Sequence, residues 1–531
     1  MTVDVSDRIA PNRADRVWSA RSISYAHAAW FVRPRLESSR VNSTLATNFI
    51  WIAAIVVDLG VRIAAIIVIP RNRKPSSAMA WLLAIFLIPY VGILFFLLVG
   101  SPKLPRKRRE QQAEIDRMLV ERTPPQREVP VGTAAWPAWF ASVVTMNTEL
   151  GKLPISGGNS AALLGDYQGS IDAMAAEIDA ATSWVHIEFY IVSFDDTTRA
   201  FFAAMETAVQ RGVTVRVLLD HIASVRAATH KATFAELDRI GVNWNFMLPV
   251  QPLKGKFQRP DLRNHRKLVV VDGLVGFMGS QNLTSRDYNS AKNMKRGLKW
   301  QELMTRVSGP VVSSISLVFL SDWFSETGEV LEAEHVALAE LPVDNSMTAV
   351  DCQIVPSGPG YDGENNLRLF LALVTSAQSK VIITSPYFVP DEAMMYAITS
   401  ACQRGLDVQL FVSEIGDQGP VWHAQRSYYG ELLAAGVKIW MYRAPFILHA
   451  KHLSIDHDVA VIGSSNMDIR SFALDLEVSL LVRGESFVAD MREVEQGYRE
   501  QCTLLTPEAW AKEPLRSTVL DGLARLTSSL Q

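Results

Sequence analysis

The stretch Arg263–Asn282, RNHRKLVVVDGLVGFMGSQN, places His265, Lys267 and Asp272 in the spacing H-x-K-x4-D, with Gly279, Ser280 and Asn282 following as G-S-x-N. Its apolar core, LVVVDGLVGF, reads as two short strands about Asp272-Gly273, a dipeptide favoured in two-residue hairpin loops. On that register Ser280 lies across from His265 and Asn282 on the diagonal. Residues two apart on a strand share a face. His265, Lys267, Ser280 and Asn282 therefore project together as an imidazole, a cation, a hydroxyl and an amide. Such a set can grip a phosphate and attack it.

The same set occurs again. In HAKHLSIDHDVAVIGSSN, His449, Lys451 and Asp456, then Gly463, Ser464 and Asn466, repeat every fixed position at identical spacing. The correspondence extends beyond the motifs. WVHIEFYIV from Trp184 matches KVIITSPYFV from Lys380, and AVQRGVTVRVLL from Ala208 matches ACQRGLDVQLFV from Ala401. ELDRIGV and ELLAAGV follow, and Glu302 and Glu477 each precede a strand after the motif. Alternating strands and helices predict an α/β unit with a mixed sheet in each half. The halves are expected at 150–335 and 346–515, with a tail at 516–531.

Paired His-Lys-Asp motifs resemble the phospholipase D superfamily, which holds lipid hydrolases, phosphatidyl transferases and nucleases. The resemblance implies tandem α/β domains sharing one active site about a pseudo-two-fold axis, the histidines facing each other. It also implies a catalytic set of His265, Lys267, Asp272, His449, Lys451 and Asp456. The residues themselves suit phosphodiester chemistry. Lys267 and Lys451 supply positive charge, and Ser280, Asn282, Ser464 and Asn466 supply neutral donors for phosphate. One neutral imidazole can attack phosphorus and form a phosphohistidine, while the other moves protons to and from the alcohols. The scheme is ping-pong transfer and calls for no metal and no cofactor. Asp272 and Asp456 sit at the hairpin bends, away from the histidines, where they would shape the turn or make a local salt bridge. Glu302 and Glu477 are better placed to orient His265 and His449; the plain alternative is that both face solvent.

Composition bounds the rest. The 531 residues are 48% hydrophobic, enough for more than one core, and the formal net charge of −3 does not recommend a nucleic-acid binder. Three scattered cysteines, Cys352, Cys402 and Cys502, support neither a disulfide framework nor a zinc site. After a polar segment at 1–48, two apolar runs, Phe49–Ile69 and Ala78–Val99, each approach the ~20 residues that span a bilayer as helix. They predict a membrane helical hairpin over 49–100, with Pro89 kinking its second arm. Asp58 and Arg62 in the first run are four apart, a self-neutralising pair or a contact to the second helix. Arg33, Arg35 and Arg40 before the runs and Lys103 and Arg106 to Arg109 after them favour both ends in the cytoplasm, although Arg71, Arg73 and Lys74 lie between. This reading gives a multi-pass protein of the cell membrane with cytoplasmic catalytic domains. A basic linker occupies 101–149, with Trp136 and Trp139 as interface anchors or packing residues. Near the first motif, Lys254, Lys256, Arg259, Arg263, Lys292, Lys295, Arg296 and Lys299 form either a solvated face or a landing surface for anionic lipid.

The apolar runs, RNHRK, SPYFVPDE, HAQRSYY and GSSNMDIRS together resemble the bacterial cardiolipin synthases over nearly the whole chain. That resemblance implies transfer between two phosphatidylglycerol molecules with release of glycerol. It also implies His265 as nucleophile and His449 as acid, then base. Phosphatidylserine synthesis or phospholipase D-type hydrolysis would use the same residues; a nuclease or an inactive membrane scaffold fits less well. Glu302, where the family is expected to have Asp, and Asp475, often Asn there, depart from its pattern.

Overall fold

The computed structural model describes residues 37–71, 75–100, 110–111, 114–115, 117, 136–251, 256–331, 346, 348–361 and 363–526. Arg33, Arg35, Arg73, Lys74, Lys103, Arg106 to Arg109, Lys254 and the stretch 332–345 between the expected halves lie outside the described residues.

Sixteen strands form one sheet that holds both halves. From its centre outward the first half runs Ser156–Leu164, Met304–Ser308, Val275–Gly279, Lys267–Val271, Trp184–Phe189, Thr214–Asp220 and Asn243–Met247. The second half repeats this order as Val350–Ser357, Asp475–Arg483, Val459–Gly463, His452–Ile455, Lys380–Thr384, Asp407–Ser413 and Lys438–Tyr442, with Cys502–Leu505 added at the edge. The two central strands pair antiparallel, as a two-fold axis between the copies requires. Outer strands pair parallel and the motif hairpins antiparallel, giving the expected mixed sheet. The strands Trp184–Phe189 and Lys267–Val271 are buried along their whole length, including the polar His186, Glu188 and Lys267. The helix Val311–Thr327 lies in the central core, joined there by Phe487, Val488 and Met491 of the second half's helix Glu485–Glu500.

Both motif hairpins turn one residue later than expected. Val271 pairs with Val275, so Asp272, Gly273 and Leu274 all lie in the connection; Ile455 likewise pairs with Val459. Asp272 and Gly273 both adopt left-handed backbone (φ 51° and 70°), and Leu274 N–H closes the turn on the Val271 carbonyl at 2.9 Å. A one-residue shift changes which side chains face each other. His265 and Ser280 are therefore not cross-strand partners.

Segments outside the expected halves belong to the folded body. The helix Ala138–Gly151, placed by sequence in the linker, buries Phe140, Val143 and Val144 in the second half's core. Trp136 donates to Asp351 at 2.8 Å, and both Trp136 and Trp139 meet Phe140 edge to face, so the tryptophans are packing residues. The expected tail is the helix Leu515–Arg525, whose buried Asp521 accepts from Arg426 and pairs with His423.

The membrane end is corrected as well. The helix Glu37–Val68 carries a 22-residue stretch, Thr47–Val68, long and apolar enough to cross a bilayer. The second apolar run is instead two helices, Pro75–Leu87 and Pro89–Val99, of 13 and 11 residues. At 1.5 Å per residue they extend about 20 and 16 Å, short of the ~30 Å hydrocarbon core. They fold back on each other at Pro89. A Cβ on Gly92 would meet the Ala84 carbonyl at 2.8 Å, and Trp81 packs edge to face on Phe96 at 5.5 Å. The helix Pro75–Leu87 ends at this bend, which leaves the Phe86 carbonyl without a helical partner. Arg62 reaches that carbonyl at 3.1 Å while holding Asp58 at 2.7 Å, so both readings of this pair apply at once.

Candidate active site

Two short crossings between the halves build the site. Arg263–Asn264 runs parallel to Asp475–Leu476, and Phe446–Leu448 runs parallel to Lys299–Gln301. The next residue on each of these four strands is a histidine or a glutamate. His265 N–H bonds the Leu476 carbonyl at 2.8 Å, and His449 N–H bonds the Gln301 carbonyl at 2.7 Å. Each imidazole is thereby set beside the glutamate of the opposite half. His265 Nδ1 lies 3.0 and 3.1 Å from the two Glu477 oxygens, and His449 Nδ1 lies 2.8 Å from Glu302 Oε1. Both glutamates are buried, so neither is a solvent-facing strand residue. The pairing runs across the interface and not within a motif.

The serines hold those glutamates. Ser280 Oγ donates to Glu302 Oε2 at 2.6 Å and accepts from Leu303 N–H at 2.9 Å. Ser464 Oγ donates to Glu477 Oε2 and accepts from Val478 N–H at 3.0 Å. Both hydroxyl protons are thus committed to carboxylates, and this corrects the reading of Ser280 and Ser464 as phosphate donors. The preceding glycines make the approach possible. A Cβ on Gly279 would lie 2.4 Å from the Leu303 carbonyl, and one on Gly463 would lie 2.3 Å from that of Val478. Arg266 steadies the first crossing by bonding the Glu477 carbonyl at 3.1 Å and Asp322.

The asparagines are not equivalent. Asn282 accepts from Ile191 N–H at 3.2 Å and donates to the Tyr288 hydroxyl at 2.9 Å. Asn466 is buried with its Oδ1 unpartnered. Asn282 Nδ2 is already given to Tyr288, whereas Asn466 Nδ2 donates to no group among the described residues, which leaves Asn466 the freer amide donor.

Burial sets the charges. It is the main force lowering His265 to about 4, against the attraction of Glu477, and it lowers His449 in the same way against Glu302. Burial thus favours the neutral form of both rings. With Nδ1–H donated to a carboxylate, Nε2 carries the lone pair. Burial also brings Lys267 down to about 7 and Lys451 to about 8, with the glutamates opposing it. For Glu477 burial acts upward but is outweighed by His265, Lys267 and Ser464, which hold it below the usual carboxylate range. Each lysine also acts on the opposite histidine, so the half-sites form one electrostatic unit.

Asp272 and Asp456 are structural. Asp272 accepts from the backbone of Thr182, Ser183 and Trp184 and from the Thr182 hydroxyl; Asp456 accepts from Gln378, Ser379 and Lys380 in the same pattern. They tie each hairpin tip to the start of the neighbouring strand, at the far end from the histidines. This corrects their place in the implied catalytic set, and the contact is with backbone rather than a salt bridge.

Other groups around the histidines carried no signal of their own. Tyr190 meets His265 edge to face at 5.1 Å, while Tyr288 and Tyr387 meet His449 at 6.5 and 6.3 Å. Tyr387 lies within SPYFVPDE, so family resemblance could have flagged it; Tyr288 had no such pointer. Of the basic residues, Arg263 is buried against Asp220 and Arg259 is paired with Asp261, whereas Lys292, Lys295, Arg296 and Lys299 are exposed.

Residues 174–308 and 370–496 match the family described as "Cardiolipin synthase, PLD-like domain", and 60–101 match the "Phospholipase_D-nuclease N-terminal" family. The chain is 31% identical to the cardiolipin synthase of Geobacillus kaustophilus over 91% of this chain and 96% of that one. It is 30% identical to cardiolipin synthase A of Edwardsiella ictaluri over 92% of this chain and all of that one. The chain belongs to the cardiolipin synthase family. It is a phosphatidyltransferase of phospholipase D type, acting on a phospholipid. Among solved structures, the phosphatidylserine synthase of Haemophilus influenzae superposes on 73% of this chain and 99% of that one, with a TM-score of 0.56 at 14% identity, a likeness of fold. The family match covers both crossings, so Glu302 and Glu477 lie within it.

Proposed function

We propose that this enzyme joins two phosphatidylglycerol molecules into cardiolipin and releases glycerol through a phosphohistidine. The observation that carries this reading is the pair of buried imidazoles, each held at Nδ1 by the carboxylate of the other half. In the first step His265 Nε2 attacks phosphorus and the bond to the headgroup glycerol breaks. His449, protonated, gives its proton to the departing oxygen. In the second step the free glycerol hydroxyl of another phosphatidylglycerol passes its proton to His449 and attacks phosphorus; the P–N bond breaks and cardiolipin leaves. Lys267, Lys451 and Asn466 hold the phosphate oxygens and offset charge that grows during attack. A phosphodiester anion between the lysines also raises His449, which favours the protonated acid.

The apolar residues 49–99 are assigned to the cell membrane, with Thr47–Val68 crossing it, the Pro75–Val99 fold-back entering it, and the catalytic halves on the cytoplasmic side. Exposed Lys292, Lys295 and Lys299 support approach to anionic lipid. The deciding experiment supplies purified enzyme with phosphatidylglycerol alone. Cardiolipin and glycerol in equal amounts are expected. Phosphatidic acid as the sole lipid product would replace this reading with hydrolysis, and turnover only when serine and a nucleotide-activated lipid are added would replace it with phosphatidylserine synthesis.

A further inference from the structure

The surroundings of the two histidines differ in kind. On the His265 side stand the phenol of Tyr190 and three carboxylates paired with guanidinium groups: Asp220 with Arg263 at 3.1 Å, Asp475 with Arg470 at 3.2 Å, and Asp261 with Arg259. On the His449 side stand two phenols, Tyr387 and Tyr288, and, besides the orienting Glu302, a carboxylate that no guanidinium matches, Asp417. The Tyr387 hydroxyl donates to Asp417 Oδ2 at 2.8 Å and accepts from Gln418 Nε2 at 3.0 Å. The Tyr288 hydroxyl donates to Glu302 Oε1 at 3.3 Å and accepts from Asn282. Asp417 also accepts from Gln418 N–H at 2.9 Å, and among the described residues no lysine, arginine or histidine forms an ion pair with it. It is half-buried and close enough to act on Lys451. Arg296 of the first half closes this wall by bonding the Gly416 carbonyl at 3.1 Å.

A carboxylate without a cation repels a second anion and accepts hydrogen bonds from hydroxyls. Beside it, phenol and carboxamide groups can both donate and accept. We propose that Asp417, Tyr387 and Gln418 form a polyol subsite that holds the glycerol headgroup against His449. This rests on the reading of His449 as the residue that serves the alcohol. Both the departing and the incoming glycerol would occupy it in turn. When glycerol attacks the phosphatidyl-enzyme, the P–N bond breaks, a P–O bond forms and the hydroxyl proton passes to His449. Water makes the same bonds but has no second hydroxyl for Asp417 to hold, so the subsite favours transfer over hydrolysis.

The test uses full-length enzyme in detergent with phosphatidyl-p-nitrophenol as donor, and glycerol, ethanolamine and water as competing acceptors. The readouts are the ratios of phosphatidylglycerol and phosphatidylethanolamine to phosphatidic acid, which do not depend on the fraction of enzyme folded. Wild type should favour glycerol over ethanolamine at equal concentration. Asp417→Asn and Tyr387→Phe should each lower the glycerol-to-water ratio about tenfold, the scale of one hydrogen bond to a charged group. Gln418→Leu, at an exposed position that tolerates change, should lower it to a smaller degree and serves if either of the others fails to fold. Unchanged glycerol-to-water ratios in the folded variants would overturn the subsite. A wild-type preference for ethanolamine that Asp417→Asn removes would overturn the polyol and assign a cationic alcohol instead. Because the donor is not phosphatidylglycerol, failure to make cardiolipin from phosphatidylglycerol is a separate result.

Discussion

His265 and His449 occupy equivalent positions in two copies of one fold and each meets a tyrosine, Tyr190 or Tyr387, yet beyond it His265 faces paired ions while His449 faces a second phenol, Tyr288, and the unpaired Asp417. The shared part is the mechanism of support: a crossing strand, a glutamate from the other half, and a serine behind that glutamate. The unshared part comes from segments outside the repeat's common frame, Tyr288 after the first motif and the Asp417 loop before the second. The repeat thus supplies two equivalent imidazoles with different rims, and the division of roles proposed above rests on that difference. Proton transfer to an alcohol suits the side rich in neutral hydroxyls, and attack on phosphorus suits the side where charges cancel.

The most severe test of this division removes the histidines themselves. His265→Ala should abolish covalent capture and transfer, by about four orders of magnitude or more. His449→Ala should slow transfer from phosphatidylglycerol by about 10²–10⁴, yet still allow capture from a lipid whose leaving group hardly needs a proton. Acid quenching with radiolabelled lipid and peptide mapping reads this out. Label on the His449 peptide, persisting in His265→Ala, would reverse the roles.

The crossed pairing is next in size. Glu477→Gln should slow capture by His265, and Glu302→Gln should slow only the proton-dependent transfer, each by about a hundredfold. Single-turnover rates with p-nitrophenyl and glycerol leaving groups separate the two. If the glutamates instead served the histidines of their own motifs, the two phenotypes would be exchanged.

A smaller effect comes from pH. Lys267 at about 7 and Lys451 at about 8 are lowered by burial, and their charged form is the protonated one. Phosphate binding therefore weakens as pH rises through these values, and kcat/KM should decline above pH about 8. Bound phosphate stabilises the ammonium groups, so the limb in kcat should lie at higher pH. A kcat/KM profile flat to pH 10 would contradict this.

The smallest change in turnover is expected where the motif aspartates sit. Asp272→Ala removes bonds to three backbone N–H groups and should cost about 1–3 kcal/mol of stability. Denaturant unfolding measures that loss, and kcat per folded molecule should change less than twofold. A hundredfold loss of kcat at unchanged stability would return Asp272 to the catalytic set.

Much of this was legible in the chain. The repeat, the hairpins and the mixed sheet follow from short apolar runs, the Asp272-Gly273 turn and its Asp456 counterpart, and Gly-terminated helices, all of which are local chemistry. Even so, the turn length was misjudged by one residue. Asp272-Gly273 signals a tight turn but does not say whether Leu274 stays inside it, and the structure keeps it there. The glutamates were found by their equivalent places in the repeat. Their partners were not, because a symmetric sequence looks the same whether each copy serves itself or the other.

By itself, then, the sequence determined the two half-sites, the α/β duplication, the family and a first helix fit to cross a membrane. Tertiary structure alone decided that Glu477 meets a histidine 212 residues away and that Ser280 and Ser464 face carboxylates rather than phosphate. It alone set Asp417 beside Tyr387, and folded the second apolar run back at Pro89. The physical reason is one of range. Strand period, turn preference and hydropathy act over a few residues and leave their mark in the local string. The partner of a buried polar group is chosen by whichever donor or acceptor the packed interface brings within about 3 Å, and nothing in the neighbouring sequence records that choice.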